Sequence, residues 1–382
     1  MSDFIFRITP NIMLGSYTVS RLGQQVLEFG SRFMVIMDPI LHEMKTADKI
    51  LESLNSRKIE NFVFSEISDG ATTKTIQRAL TLAKEGHIHG IIAAGGTKAI
   101  SIAKCIAAVF NEVHDLYTFV DGAVPSTAAL PCICVPTTYR TPFVFTNEIP
   151  VTDSRCNQMK IMKVQNNICR LLLTDPNLML TLTENQKSTM TMEILNMAVE
   201  SYLSRKATFF SDTFAEKGVE LLSYVTNGSP SLDITTPPEI LLAEAGCMIS
   251  LSVASSSVGL NSLLAMAINS RYRISKPLVA SILLPYMIDD AAKYKCARIE
   301  KIASIMHCIP EGQSGEEAVK SFSDMIRQKI AAGNLPARLK DIQLSIEQLS
   351  LAVEDAGQTE TVTSLPRSMS TDDIFEFVKS AY

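Results

Sequence analysis

Gly90-Ile-Ile-Ala-Ala-Gly95-Gly96-Thr97-Lys98 reads as a short buried strand, a diglycine turn and the start of a helix that continues through Ala99–Phe110. Glycines let backbone amides approach an anion closely, and the unpaired N–H groups and dipole at a helix N-terminus favour negative charge. Thr97 is placed to cap this helix, and Lys98 to add a full positive charge. Two readings of the turn stand: a phosphate cradle, or only a tight strand-to-helix connection. Its spacing matches neither Gly-x-x-x-x-Gly-Lys-Ser/Thr nor Gly-x-Gly-x-x-Gly, so it is neither a P-loop nor the standard dinucleotide fingerprint.

Outward from the turn, Phe33–Met37, Asn61–Ser65 and Cys132–Val135 are further strand-like runs. Helical patterns separate them, as in Thr73–Gly86, where Ile76, Leu80 and Ala83 recur at helical spacing. Such alternation predicts right-handed βαβ units, a parallel sheet, and ligands bound beyond the strands' carboxyl ends. Asp38 closes one strand. Its carboxylate either accepts ribose hydroxyls and repels a 2′-phosphate, favouring NAD over NADP, or merely opens the turn at Asp38-Pro39. After about Leu178 helical patterns dominate: Ser188–Ser204, Phe210–Tyr224, Glu239–Ser252, Gly315–Ala332 and a final Thr371–Ser380. The expectation is an α/β domain over 1–178 and an all-helical domain over 179–382, with loops at Asn227–Pro238 and Thr359–Ser370.

With 46% hydrophobic and 20% charged residues, a chain of 382 folds, and its length allows two domains. A net charge of −5 with scattered Lys and Arg offers no basic face to nucleic acid. The apolar stretch Leu278–Ile288 is broken by Ser281, Pro285 and Tyr286 and falls short of the roughly 20 residues that cross a bilayer. Met1–Pro10 lacks a leader pattern, so no membrane partner and a cytoplasmic location are expected. The eight cysteines follow no disulfide spacing. Cys132 and Cys134 share a strand face and read as small buried hydrophobes, because no second Cys or His pair lies near them in sequence. His87 and His89 read as surface loop residues, and Met190, Met192 and Met197 as core packing.

Gly90–Lys104, GIIAAGGTKAISIAK, resembles the cofactor segment GGGSxxDxAK of the iron-containing alcohol dehydrogenase family, and its Lys98 is similar to the glycerol dehydrogenase branch. Pro136-Thr137-Thr138, Thr141, Thr146, Thr152-Asp153, Lys160 and Asp175-Pro176-Asn177-Leu178 follow in the family's order, and Leu365–Tyr382 resembles its closing helix. The resemblance spans the chain. It implies a Rossmann-like parallel-sheet domain followed by a helical domain, the dehydroquinate synthase-like architecture. It further implies a cleft where NAD and a small alcohol or aldehyde meet a divalent metal, and assembly as a homodimer. Cofactor contacts are implied at Asp38, Gly95, Gly96, Thr97, Lys98, Ser101, Thr137, Thr138, Thr141, Lys160 and Leu178.

The family's metal is held by an Asp and a His four apart on one helix and by two further histidines. The matching positions are Glu193, Met197, Ser262 and Lys276, and His307 is the only histidine after His114. A soft thioether, a neutral hydroxyl and an ammonium predict no tightly bound divalent metal. Lys276 is then expected near the vacated position, paired with Glu193 and able to polarise a carbonyl weakly. Read without the resemblance, Thr189, Glu193, Asn196 and Glu200 form a polar stripe that would face solvent. Arg140, Pro142 and Phe143 replace small residues of the family's PTTxGTGSE loop and are expected to crowd the nicotinamide. Two functions follow: an NAD(P)-dependent alcohol dehydrogenase working without the metal, or a pseudoenzyme that keeps the fold for nucleotide binding, assembly or partner contact.

Overall fold

The alternating runs of the first half become a six-stranded, all-parallel sheet in the computed structural model, which describes residues 9–227 and 236–382. Its strands are β1 (Asn11–Leu14), β2 (Arg32–Met37), β3 (Glu60–Phe64), β4 (Gly90–Gly95), β5 (Cys132–Pro136) and, after a separate antiparallel hairpin of β6 (Glu148–Asp153) and β7 (Gln158–Lys163), β8 (Cys169–Thr174). The order across the sheet is β1-β8-β5-β4-β2-β3. The four expected strands form, while β1, β8 and the hairpin carry no pattern that announced them.

Side-chain alternation divides the core into two layers. Met34, Ile36, Ile91 and Ala93 face helices Thr73–Glu85 and Thr97–Val109, while Phe33, Val35, Met37 and Ile92 face Leu22–Val26 and Thr46–Asn55. Each fully buried Ile or Met contributes roughly 1.5–3 kcal/mol, so both faces must be covered, as a parallel sheet requires. One irregularity interrupts the alternation. Cys132 pairs with Cys169 but Ile133 pairs with Leu171, so Arg170 is a bulge residue. Cys169 therefore joins Leu172 on the layer of Cys132 and Cys134, while Leu171 and Leu173 point to the other.

The chain divides into two compact units, Met1–Leu182 and Thr183–Tyr382. The second is built from helices, among them Glu184–Leu203, Phe209–Asn227, Pro238–Ala254, Leu260–Tyr272 and Lys276–Ile305. Capping boxes at Thr183 with Gln186, Ser345 with Gln348 and Ser370 with Asp373 fix where three of its helices begin. Arg271 grips Asp355 bidentately at 2.6 and 2.9 Å, tying Leu260–Tyr272 to helix Ile346–Gly357. Glu184–Leu203 packs against Phe209–Asn227, Pro238–Ala254 and Lys276–Ile305 and is buried from Thr189 to Leu203 without a break. Thr189, Glu193, Asn196 and Glu200 are thus interior, not a solvent face. A helix enclosed all round has no outer side on which to place polar residues. Met190, Met192 and Met197 are buried with them, as expected of packing residues. Most of the expected loop 227–238 lies outside the described residues. Among the described residues no helix is long and apolar enough to cross a membrane.

Candidate nucleotide and catalytic positions

Strand order creates the first candidate site. The chain runs outward from β2 to β3, then returns to β4 and continues to β5 on the other side. The helices after the adjacent strands β2 and β4 leave to opposite faces of the sheet, since Thr46–Asn55 belongs to one core layer and Thr97–Val109 to the other. At such a reversal a ligand crevice forms outside the carboxyl ends of the strands.

Asp38 and Gly95 stand at this point. Asp38 donates its backbone N–H to Ala94 O at 2.9 Å, and a Cβ placed on Gly95 would lie 3.0 Å from the Cβ atoms of Asp38 and Ala99. Gly95 has φ of +151°, a conformation that L side chains rarely adopt, so backbone angle and space both require glycine. Gly96 occupies the N-cap of helix Thr97–Val109, and a Cβ there would meet Thr138 Cγ2 at 3.2 Å. Thr97 is consequently the first helical residue and not the cap, and the N-cap Gly96 makes no side-chain capping bond. The reason is that a glycine at N-cap has no oxygen to offer, leaving the first-turn amides, which lack intrahelical acceptors, turned toward the crevice end. Lys98 is exposed and Thr97 half-buried. One turn later the fully buried Ser101 Oγ has no hydrogen-bond partner among the described residues, the kind of orphan that a ligand or water satisfies.

The loop after β5 is tied to this turn. Thr137 donates its N–H to Gly95 O at 3.2 Å, Thr138 Oγ1 donates to Arg140 O at 3.4 Å, and Thr137, Thr138, Arg140, Thr141 and Phe143 are all buried. The fastening is Lys104, which sequence reasoning quoted only as the end of a motif. Its side chain is buried, and Nζ donates to Phe143 O, to Thr146 O at 2.8 Å and to Glu148 O at 3.3 Å. Three carbonyl acceptors take all three N–H bonds of an ammonium, so its charge is spent on holding the loop. Asp38, Gly95, Gly96, Thr97, Ser101, Thr137 and Thr138 thus come together. Lys160 sits on β7, half-buried. Leu178 lies in the 3-10 turn Pro176–Thr181, where Asp175 accepts N–H bonds from Asn177 at 3.1 Å and Val19 at 3.2 Å. Asp175, Leu178, Val19 and Lys49 line a cavity of about 370 Å³ in this unit.

In the second unit, Glu193 and Met197 are buried on helix Glu184–Leu203. Ser262 lies in the first turn of Leu260–Tyr272, and Lys276 opens Lys276–Ile305, half-buried. A residue of the misread stripe organises this region. Glu200 Oε1 accepts the Ser262 N–H at 2.9 Å, and its Oε2 accepts the Ser262 hydroxyl. Burial pushes the Glu200 carboxyl above its ordinary range, against hydrogen bonds from Ser262 and from the Gly259 and Asn261 amides. Glu200 therefore caps a second helix with a carboxylic group, and Gly259 leaves it room, since a Cβ there would lie 2.6 Å from Glu200 Cγ. The signal for Glu200 was its position seven residues after Glu193, on the same helix face.

A six-stranded parallel sheet with flanking helices and a glycine-opened helix N-terminus at its reversal point defines a Rossmann-like unit, here followed by a helical unit. The description "Iron-containing alcohol dehydrogenase" matches residues 9–176, and "Fe-containing alcohol dehydrogenase family, C-terminal" matches residues 188–382. The chain belongs to the iron-containing alcohol dehydrogenase family. It is 21% identical to lactaldehyde reductase of Escherichia coli (strain K12) over 96% of this chain and 97% of that one. It is 19% identical to the NAD-dependent methanol dehydrogenase of Bacillus methanolicus over 98% and 99%. The solved structure of a 1,3-propanediol oxidoreductase superposes with a TM-score of 0.90 at 19% identity, covering 100% of both chains.

Proposed function

We propose that this protein binds NAD at the Gly95–Gly96 turn and interconverts a small alcohol and its aldehyde or ketone without the family's metal. The observation that carries the reading is the position of the turn: Gly95, held to glycine by its positive φ, and Gly96, which has no side chain to cap the helix it opens, stand beside Asp38 where the strand order reverses. The first-turn amides and Lys98 hold the pyrophosphate, Ser101 and the Thr137–Thr138 backbone border it, and Asp38 accepts the ribose hydroxyls and repels a 2′-phosphate. NAD, when bound, supplies the hydride acceptor. The names of relatives such as the NAD-dependent methanol dehydrogenase support this choice.

The donors at positions 193, 197, 262 and 276 do not fit a divalent iron or zinc. Met197 is a buried thioether, the Ser262 hydroxyl is committed to Glu200, and Lys276 brings an ammonium. In our reading the Lys276 ammonium polarises the substrate oxygen and Glu193 compensates its charge. Division near residue 178, a homodimer and a cytoplasmic location belong to the same reading, the dimer being testable by sedimentation.

A second reading rests on the buried Arg140 and Phe143 in the loop after β5, whose bulk would leave nucleotide binding without room for hydride transfer. The protein would then be a pseudoenzyme. NADH titration followed by turnover assays on short alcohols and aldehydes, with and without added divalent metal, separates the two. Turnover lost in Lys276→Met but unaffected by chelator supports metal-free catalysis, and binding without turnover supports the pseudoenzyme. Turnover that requires added iron or zinc overturns the metal-free assignment.

A further inference from the structure

Away from both candidate sites, the bulge in β8 assembles a group of thiols. Cys132, Cys134 and Cys169 are buried on one layer of the sheet, with all three Sγ atoms within 4.8 Å of one another and Cys134 Sγ 3.7 Å from Cys169 Sγ. Sulfurs about 2.3 Å from a shared cation in a trigonal plane lie about 4 Å apart, so small side-chain shifts would bring these three to the spacing of a three-sulfur shell. We propose that Cys132, Cys134 and Cys169 form a trigonal site for a soft monovalent d10 cation, copper(I) in class, independent of the alcohol dehydrogenase reading.

Two observations select that chemistry. Among the described residues, no His, Asp, Glu or further Cys joins the group as a fourth ligand, whereas divalent zinc in structural sites demands four. The donors are all sulfur, which soft cations prefer over oxygen-seeking ones. Binding exchanges thiol protons for the cation, because the thiolate is the ligating form, and no electron moves in this step.

Cys169 also borders a cavity of about 170 Å³, whose walls include Thr9, Lys104, Asn147, Asn166 and Asn167.

The test is titration of the full-length reduced protein with copper(I) under anaerobic conditions, in competition with a chromophoric copper(I) chelator, followed by X-ray absorption on the loaded protein. One equivalent is expected to resist the chelator, with a first shell of three sulfurs. It should persist when the cysteines outside the sheet core are replaced together (C156S, C247S, C296S and C308S) and vanish in C134A and in C169A, whose folding is checked by circular dichroism. If either single variant fails to fold, the absorption spectrum of the quadruple variant decides. Absence of a chelator-resistant equivalent, its loss in the quadruple variant, its survival in folded C134A, or a shell containing nitrogen or oxygen each overturns the site.

Discussion

Gly95 shows how much one residue can decide. Its φ of +151° and the 3.0 Å contacts awaiting any Cβ act together, so Gly95→Ala should cost about 1–3 kcal/mol of stability. It should also weaken NADH binding disproportionately, because the amides that meet the phosphate shift with it. Thermal melts and a fluorescence titration read the two effects separately; unchanged NADH affinity in a destabilised variant would remove the turn from the nucleotide site. Glu200 offers a second prediction, with its sign set by burial. Its folded value lies above the ordinary 4.5, so the folded state holds the proton more tightly than the unfolded chain does. Its favourable contribution is full below the ordinary value and is lost as pH rises through the raised one. In Glu200→Gln this part of the pH profile should be flat, and the difference in urea midpoint between wild type and variant should shift in the variant's favour as pH increases. A difference independent of pH would place Glu200 in a solvated setting.

At the scale of elements, the loop after β5 hangs on Lys104. Replacing it with Met removes an ammonium that bonds three carbonyls and leaves those acceptors buried. Hydrogen bonds to charged groups are worth about 1.5–3 kcal/mol each, partly offset by no longer burying a charge, so a loss of about 2–4 kcal/mol is expected in chemical denaturation. NADH affinity should fall as well, since Thr137 and Thr138 belong to the released loop. Helix Glu184–Leu203 teaches a different lesson. Its C-terminal end was legible to within one residue, whereas the pattern read from Ser188 missed the first turn, which the Thr183–Gln186 capping box opens at Glu184. Its surroundings were not legible, since a polar stripe at helical spacing looks alike on a solvent face and in an interior where each polar group finds a partner. The Glu200–Ser262 bonds show which case applies.

For the whole molecule, the metal-free reading makes a prediction about removal and addition. Prolonged treatment with a divalent-metal chelator should leave both the melting temperature and NADH affinity unchanged, whereas NADH at about 100 times its Kd should add roughly 2.7 kcal/mol. A melting temperature that falls on chelation and recovers with iron or zinc would show that a divalent ion is part of the folded protein. Hydrogen exchange on the same samples should show NADH protection concentrated at the amides of residues 95–99.

Sequence by itself determined what short-range rules govern. Four strands, the helices between them, the glycine turn and the order of family motifs follow from periodicity, capping and spacing, which act over a few residues and survive in any tertiary context. Tertiary structure alone decided which side chains meet. Strict alternation would put Cys169 on the same side as Leu171 and Leu173, and only the bulge at Arg170 turns it toward Cys132 and Cys134. Likewise Lys104 lies 39 residues from the Phe143 carbonyl and Glu200 62 residues from Ser262. Such partners are chosen by how layers pack and where backbone acceptors are left unpaired in the interior, and no local pattern of residues encodes that choice.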